Sequence, residues 1–284
     1  MHRVLDEVWR SVDSRMKDHS MVCVNVGDAT RTLGGSFSLY PNHARVGTSM
    51  LGLGYQELPE ILWRKRSNKP NKFMGSGMLP PGAYVTQEHE YILLFRKGGK
   101  RGFTGLTERS NRTRSAFFWE ERNSWFSDMW EDLKGERQRM TEGGPRSRSA
   151  AFPFELAYRL VSMFSVRDDM VADPFAGTGM TMLAAMAAGR NSVSFEVDPE
   201  FRGIIEARIS TGLKAANDYV KARLRKHAKY AGGARVMKYR NQAHGFPVMT
   251  AQEVSLELPF ISSVTKTGED TFEVDYAETL ARFD

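Results

Sequence analysis

The sequence predicts an α/β protein built around a parallel sheet, on two observations. Residues Asp168 to Asp198 read DDMVADPFAGTGMTMLAAMAAGRNSVSFEVD. A short apolar run turns sharply at Asp173-Pro174-Phe175. A Gly177-Thr178-Gly179 loop follows, then a helical run rich in Ala and Met, a Gly189 stop, and a second apolar run ending in Glu196. That order is one strand, loop, helix, strand unit. The run Met21 to Val26 (MVCVNV), closed by Gly27-Asp28, is nearly all apolar, as a fully buried parallel strand is.

The other elements follow from spacing. Val4, Leu5, Val8, Trp9, Val12 and Met16 recur at helical intervals. Pro41 to Leu53 reads as a second helix, closed by Gly54, and Leu58 to Trp63 and His89 to Phe95 read as strands. Between those strands lie 25 residues, Arg64 to Glu88, rich in Lys, Asn, Gly and Pro, a functional loop or a segment without fixed structure. From Gly98 to Arg148, Lys and Arg mix with Phe117-Phe118-Trp119, Trp125-Phe126 and Trp130, and Pro145 marks a joint. Leu156, Leu160, Val161 and Phe164 share a helical face, residues 199 to 230 form a long basic helix, and Val254 to Leu258 and Thr271 to Val274 are strand-like.

Net charge is +6 with a pI near 9.4, which suits a polyanionic partner without requiring one. A lone cysteine, Cys23, excludes an internal disulfide and a Cys-rich metal site, and none of the six His has metal-ligand spacing, so no metal is assigned. No apolar run approaches the roughly 18 residues of a membrane span, and Met1 to Arg10 lacks a signal-peptide core, so the expected location is cytoplasmic.

Glycines are needed where a loop turns tightly and lets a ligand reach backbone, since a Cβ would collide or forbid the required φ. Glu196, 17 residues after Gly179, faces the same crevice and can accept hydrogen bonds from both hydroxyls of a ribose. The loop is not GxGxxG, so a pyrophosphate is less invited. A plain tight turn with a surface carboxylate is the competing reading.

The block Asp173 to Gly179, DPFAGTG, resembles motif I of the S-adenosylmethionine-dependent DNA amino-methyltransferases, Asp-Pro-Phe-x-Gly-x-Gly-Thr, with Met180 where Thr is common and Thr181 next. VCVNVGDA, the GYQELPEILWRK block, HEYILLFRKGG, a variable basic segment, FPFELAYRL and DPFAGTG look like motifs VI, VII, VIII, the target-recognition region, X and I. That is their order in the β class of N4-cytosine and N6-adenine site-specific DNA methyltransferases. The resemblance implies a doubly wound, Rossmann-like, mostly parallel sheet with helices on both faces, its last strand antiparallel, and an inserted DNA-recognition segment. The domains would be a catalytic half (1–97), a target-recognition segment (98–148), a cofactor half (149–230) and an extension of unassigned role (231–284).

It implies S-adenosylmethionine as cofactor, held by Asp173, Phe175, Gly177, Thr178, Gly179, Thr181 and Glu196. Phe152 and Pro153 would border its methionine end, or Pro153 is simply a proline in the first turn of a helix. Asp128 would face the cofactor's ammonium or, the preferred reading, cap a helix. The partner would be double-stranded DNA, in company with a cognate restriction endonuclease. From Arg64 to Arg114 there are twelve Lys or Arg against three Glu, suited to phosphate contacts or a solvated loop, and the aromatic and basic segment after Gly98 would read sequence or form a small core. The family's catalytic Pro-Pro-aromatic block, which meets the exocyclic amine of a flipped base, belongs ahead of the first helix. The only Pro-Pro here is Pro80-Pro81. No catalytic residue is therefore assigned, and the expectation is a late start at Met1 or a second polypeptide that supplies the block. A non-catalytic DNA- or cofactor-binding subunit is the alternative.

Overall fold

The computed structural model describes residues 2–65, 74–133, 152–233 and 236–277. The first elements are α1 (His2–Asp13), β1 (Met21–Val26), β2 (Ala29–Leu33), β3 (Ser36–Tyr40), α2 (Asn42–Gly52), β4 (Gln56–Arg64), β5 (Met74–Gly75), β6 (Ala83–Tyr84) and β7 (His89–Arg96). Then come α3 (Leu106–Arg114), α4 (Trp119–Trp125), β8 (Met129–Trp130), α5 (Phe154–Phe164), β9 (Met170–Asp173), α6 (Met180–Ala188), β10 (Asn191–Ser194) and α7 (Phe201–Ala231). The last described elements are β11 (Tyr239–Arg240), β12 (Pro247–Val248), β13 (Ile261–Lys266) and β14 (Phe272–Tyr276). Two compact units result: Met1–Arg101 with Ser127–Ala151, and Gly102–Phe126 with Phe152–Asp284. They cut the chain elsewhere than residues 97 and 148, and Pro145 lies outside the described residues.

In the first unit β7 is central. Ile92, Leu93, Leu94 and Phe95 are consecutive and all buried, which a strand allows only when both its faces are covered. It pairs antiparallel with β1 and with β4, and β4 pairs parallel with β8, giving the order β1-β7-β4-β8. Leu93 and Phe95 pack with Trp9 of α1, Val46 and Met50 of α2, and Tyr55. On the other face lie Ile61, opposite Ile92, with Trp63 and Trp130, and the Trp63 indole donates to the Leu133 carbonyl at 3.1 Å. β1 therefore departs from its sequence reading: it is half-buried throughout and its partner is antiparallel, because apolar content reports burial and not strand direction. Its second edge meets no strand among the described residues.

In the second unit β9 and β10 pair parallel, from Met170↔Asn191 to Ser194↔Asp173. α6 lies between α5 and α7, and its Leu183 to Ala188 run is wholly buried. The second edge of β9 likewise meets no strand among the described residues. Phe118 and Trp125 belong to this unit's core, with Leu224, Val248, Leu256 and Phe260. Their burial follows from a clamp: Arg223 of α7 donates to both Glu121 oxygens at 2.7 Å and to the Tyr158 hydroxyl at 2.6 Å, all out of water. Val254 to Leu258 is not a strand. The N–H groups of Leu256, Glu257 and Leu258 go to the Glu253 carbonyl, the Arg114 carbonyl and His244 Nε2. Among the described residues no helix is long and apolar enough to cross a membrane.

Candidate functional site

The loop from Asp173 to Gly179 leaves the carboxyl end of β9 and enters α6, the end at which open α/β sheets bind ligands. Asp173 Oδ1 accepts the Phe175 N–H at 2.9 Å, an Asx turn that starts the bend. The bend is tied to the neighbouring strand by the Phe195 N–H to the Asp173 carbonyl and the Ala176 N–H to the Phe195 carbonyl, both 2.8 Å. Gly177 (φ +51°) and Gly179 (φ +77°) are left-handed, which disfavours any side chain there. At Gly179 space matters too, since a Cβ would stand 3.2 Å from Ile205 Cγ2 of α7.

Glu196, two residues past β10, closes the site. Its Oε2 accepts the Gly177 N–H at 2.8 Å and its Oε1 the Asp198 N–H at 3.0 Å. The carboxylate thus fastens the glycine loop to the adjacent strand end. Each oxygen carries a second lone pair, and Glu196 is only half-buried, so acceptor capacity remains. Phe175, Phe195 and Val197 are exposed, the last at 92 %. Thr178 is buried and Thr181 half-buried in the first turn of α6.

The structure therefore brings Asp173, Phe175, Gly177, Thr178, Gly179, Thr181 and Glu196 into one loop and strand end. Pro153 is the residue before α5, where its fixed φ suits helix entry, and Phe152 packs on the core of the second unit. Asp128 caps no helix: it precedes β8, and its carbonyl accepts the Leu62 N–H at 2.8 Å. The basic stretch is partly spent internally. Arg64 pairs with Glu88 and Glu131, Lys65 with Glu90, Lys97 with Asp13, and Arg114 with Glu257.

Several polar pairs escaped the sequence reading. Buried His227 places Nδ1 2.9 Å from Glu120 and Nε2 3.0 Å from the Pro247 carbonyl. A carboxylate and a carbonyl both accept, an arrangement that favours hydrogen on both nitrogens. Burial pulls its pKa down, but Glu120 and that carbonyl outweigh it and the net shift is upward. His244 is the reverse: burial lowers its pKa to about 4, and its Nε2 accepts the Leu258 N–H at 3.0 Å. In the first unit Asp28 holds the ring and backbone of His43. Glu121 and Arg223 are 102 residues apart, and no local spacing signals such a pair.

A strand, a two-glycine turn, a helix and a parallel strand ending in a carboxylate define a Rossmann-like α/β fold of the nucleoside-cofactor class. A family model described as DNA methylase, that of the N6 and N4 methyltransferases, matches residues 1–207. The chain is 50 % identical over 278 residues to the Type II methyltransferase M.MthZI of Methanothermobacter thermautotrophicus, covering 98 % of this chain and 78 % of that protein. It is 46 % identical over 209 residues to the Type II methyltransferase M.MjaI of Methanocaldococcus jannaschii, covering 74 % and 67 %. A crystal structure of a putative DNA modification methylase from Thermus thermophilus, complexed with S-adenosyl-L-methionine, is similar with a TM-score of 0.61 and 32 % identity, over 74 % of this chain and 76 % of that one. The chain belongs to the N6/N4 DNA methylase family.

Proposed function

We propose that this chain is an S-adenosylmethionine-dependent methyltransferase that modifies the exocyclic amine of cytosine (N4) or adenine (N6) within a specific sequence of double-stranded DNA. The observation that supports it most is the Glu196 clasp on Gly177, in a chain of this family. The residues fit the cofactor. Left-handed Gly177 keeps the inner side of the loop free of side-chain bulk, and Glu196 retains lone pairs for ribose hydroxyls while its other lone pairs hold the loop. Asp173 shapes the bend, Thr178 and Thr181 carry hydroxyls in the same turn, and exposed Phe175 offers an apolar surface to a nucleoside. Phe152 and Pro153 would border the methionine end. Bound there, S-adenosylmethionine supplies an electrophilic methyl group on a sulfonium.

Net charge of +6 supports DNA as partner, with 98–148 as the target-recognition segment. Phe118 and Trp125 are taken by the core, so the reading side chains in that segment would be exposed polar ones such as Arg109 and Arg112. The Type II relatives support pairing with a cognate restriction endonuclease.

Two measurements test this reading: calorimetric titration with S-adenosylmethionine, and transfer of its labelled methyl to enzymatically amplified, unmethylated phage DNA. Binding at micromolar concentration, abolished by Gly177→Val, is expected. Normal binding by that variant would show the pocket to be elsewhere.

A further inference from the structure

A base inside a duplex cannot be reached by an amine-modifying enzyme, so the base must leave the stack, and the vacancy costs stacking energy unless something fills it. Side chains that enter stacked DNA are Phe, Leu, Ile, Met and Pro. The first unit holds such side chains on a closed turn. β5 and β6 pair through Met74↔Tyr84 and Gly75↔Ala83. The Ser76 N–H donates to the Gly82 carbonyl at 2.9 Å, the Leu79 N–H to the Ser76 carbonyl at 3.3 Å, and the Ser76 hydroxyl to the Leu79 carbonyl. A Cβ on Gly75 would lie 2.0 Å from the Gly82 carbonyl oxygen, so the closure depends on that glycine. Tyr84 stacks flat on Phe37 of β3, centroids 4.4 Å apart, which ties the turn to the β2–β3 hairpin.

The tip of this turn carries apolar side chains facing water: Met78 is 82 % exposed and Leu79 70 %. Turn tips ordinarily carry Gly, Asn, Asp or Ser, and a pre-ordered apolar tip in water has no folding purpose. Charge selects the occupant. Arg31 is exposed on the hairpin that anchors the turn, and Arg66, Lys69 and Lys72 of the sequence before it add cations with no acid among residues 66–72.

Resting on the reading of the chain as a DNA amino-methyltransferase, we propose that Met78 and Leu79 form a wedge that enters the base stack of duplex DNA and fills the place left by the extruded base. They are positioning residues; they touch neither cofactor nor the reacting nitrogen.

The test uses the full chain and fluorescent duplexes of one sequence, fully paired or with a single central abasic site. In the abasic duplex the hole already exists, so a wedge gains its contacts without unstacking a base. The wild type should bind the abasic duplex about tenfold tighter than the paired one. Met78→Ser with Leu79→Ser should bring the ratio near one while leaving affinity for the paired duplex and its salt dependence unchanged. Met78→Leu with Leu79→Met should keep the preference. A wild type without preference, or a double-serine variant that retains it, would overturn the wedge, as would a change only in self-association. Methyl transfer to amplified phage DNA is measured alongside: transfer without abasic preference leaves the enzyme reading standing and removes the wedge.

Discussion

Two carboxylates, one in each unit, fasten a strand end to the next element, and they do so in opposite ways. Asp28, just past β1, has a side chain only 1 % exposed and gives its oxygens to a single residue, His43: backbone N–H at 3.1 Å, ring Nδ1 at 2.9 and 2.8 Å. The ring is held again from its face, stacked on Tyr91 at 4.0 Å. Glu196, just past β10, gives one backbone contact per oxygen and stays half-buried beside a left-handed glycine. The first is a fastener whose donors come from within the protein. The second fastens with part of its acceptors and keeps further lone pairs beside the loop, which suits the ligand role proposed for it.

The largest way to break this contrast is at the glycine. Gly177→Val forces a β-branched residue into a left-handed turn and should weaken S-adenosylmethionine binding at least about a hundredfold by calorimetry, with salt-dependent DNA binding retained. Next is the pair that serves only the fold. Arg223→Met strands the Glu121 carboxylate in the core and should cost about 3–5 kcal/mol in urea unfolding. Removing the fastener is milder: Asp28→Ala should lose about 2 kcal/mol of stability and change cofactor affinity less than twofold. A cofactor defect without a stability loss would invert the roles assigned to Asp28 and Glu196.

The smallest effect is in pH. His244 has a folded pKa near 4, below the unfolded value of about 6.5, so its contribution is present above pH 6.5 and is lost as pH falls toward 4. His227 is raised, so its contribution is present below about 6.5 and is lost as pH rises through its folded pKa. Stability should decline on both sides of a maximum. His244→Gln, which keeps an acceptor for the Leu258 N–H, should flatten the acid side between pH 6.5 and 4.5 in urea midpoints; an unchanged slope would remove His244 from that account.

The shape of the glycine loop was legible because local chemistry fixes it: two glycines, an Asx turn and an acid at the next strand end are all short-range signals. What could not be read is long-range. Val254 to Leu258 alternates like a strand, but its N–H groups find Glu253, Arg114 and His244 instead of a ladder, and Leu256 and Leu258 are buried by that route. The segment holding Phe118 and Trp125 reads as a sequence-reading lobe or as a small core, and a partner 102 residues after Glu121 puts these two aromatics in the core. Asp128 reads as a helix cap because acids before turns commonly are, whereas a two-residue strand follows it.

One titration bears most directly on the central claim. Calorimetry of S-adenosylmethionine into the Glu196→Ala variant should show affinity reduced about ten- to hundredfold, the loss of a charged hydrogen-bonding group, with the urea midpoint lowered only slightly. Wild-type affinity in that variant, or a midpoint that falls as far as that of Asp28→Ala while binding is kept, would make Glu196 a second fastener and leave the loop without its ligand.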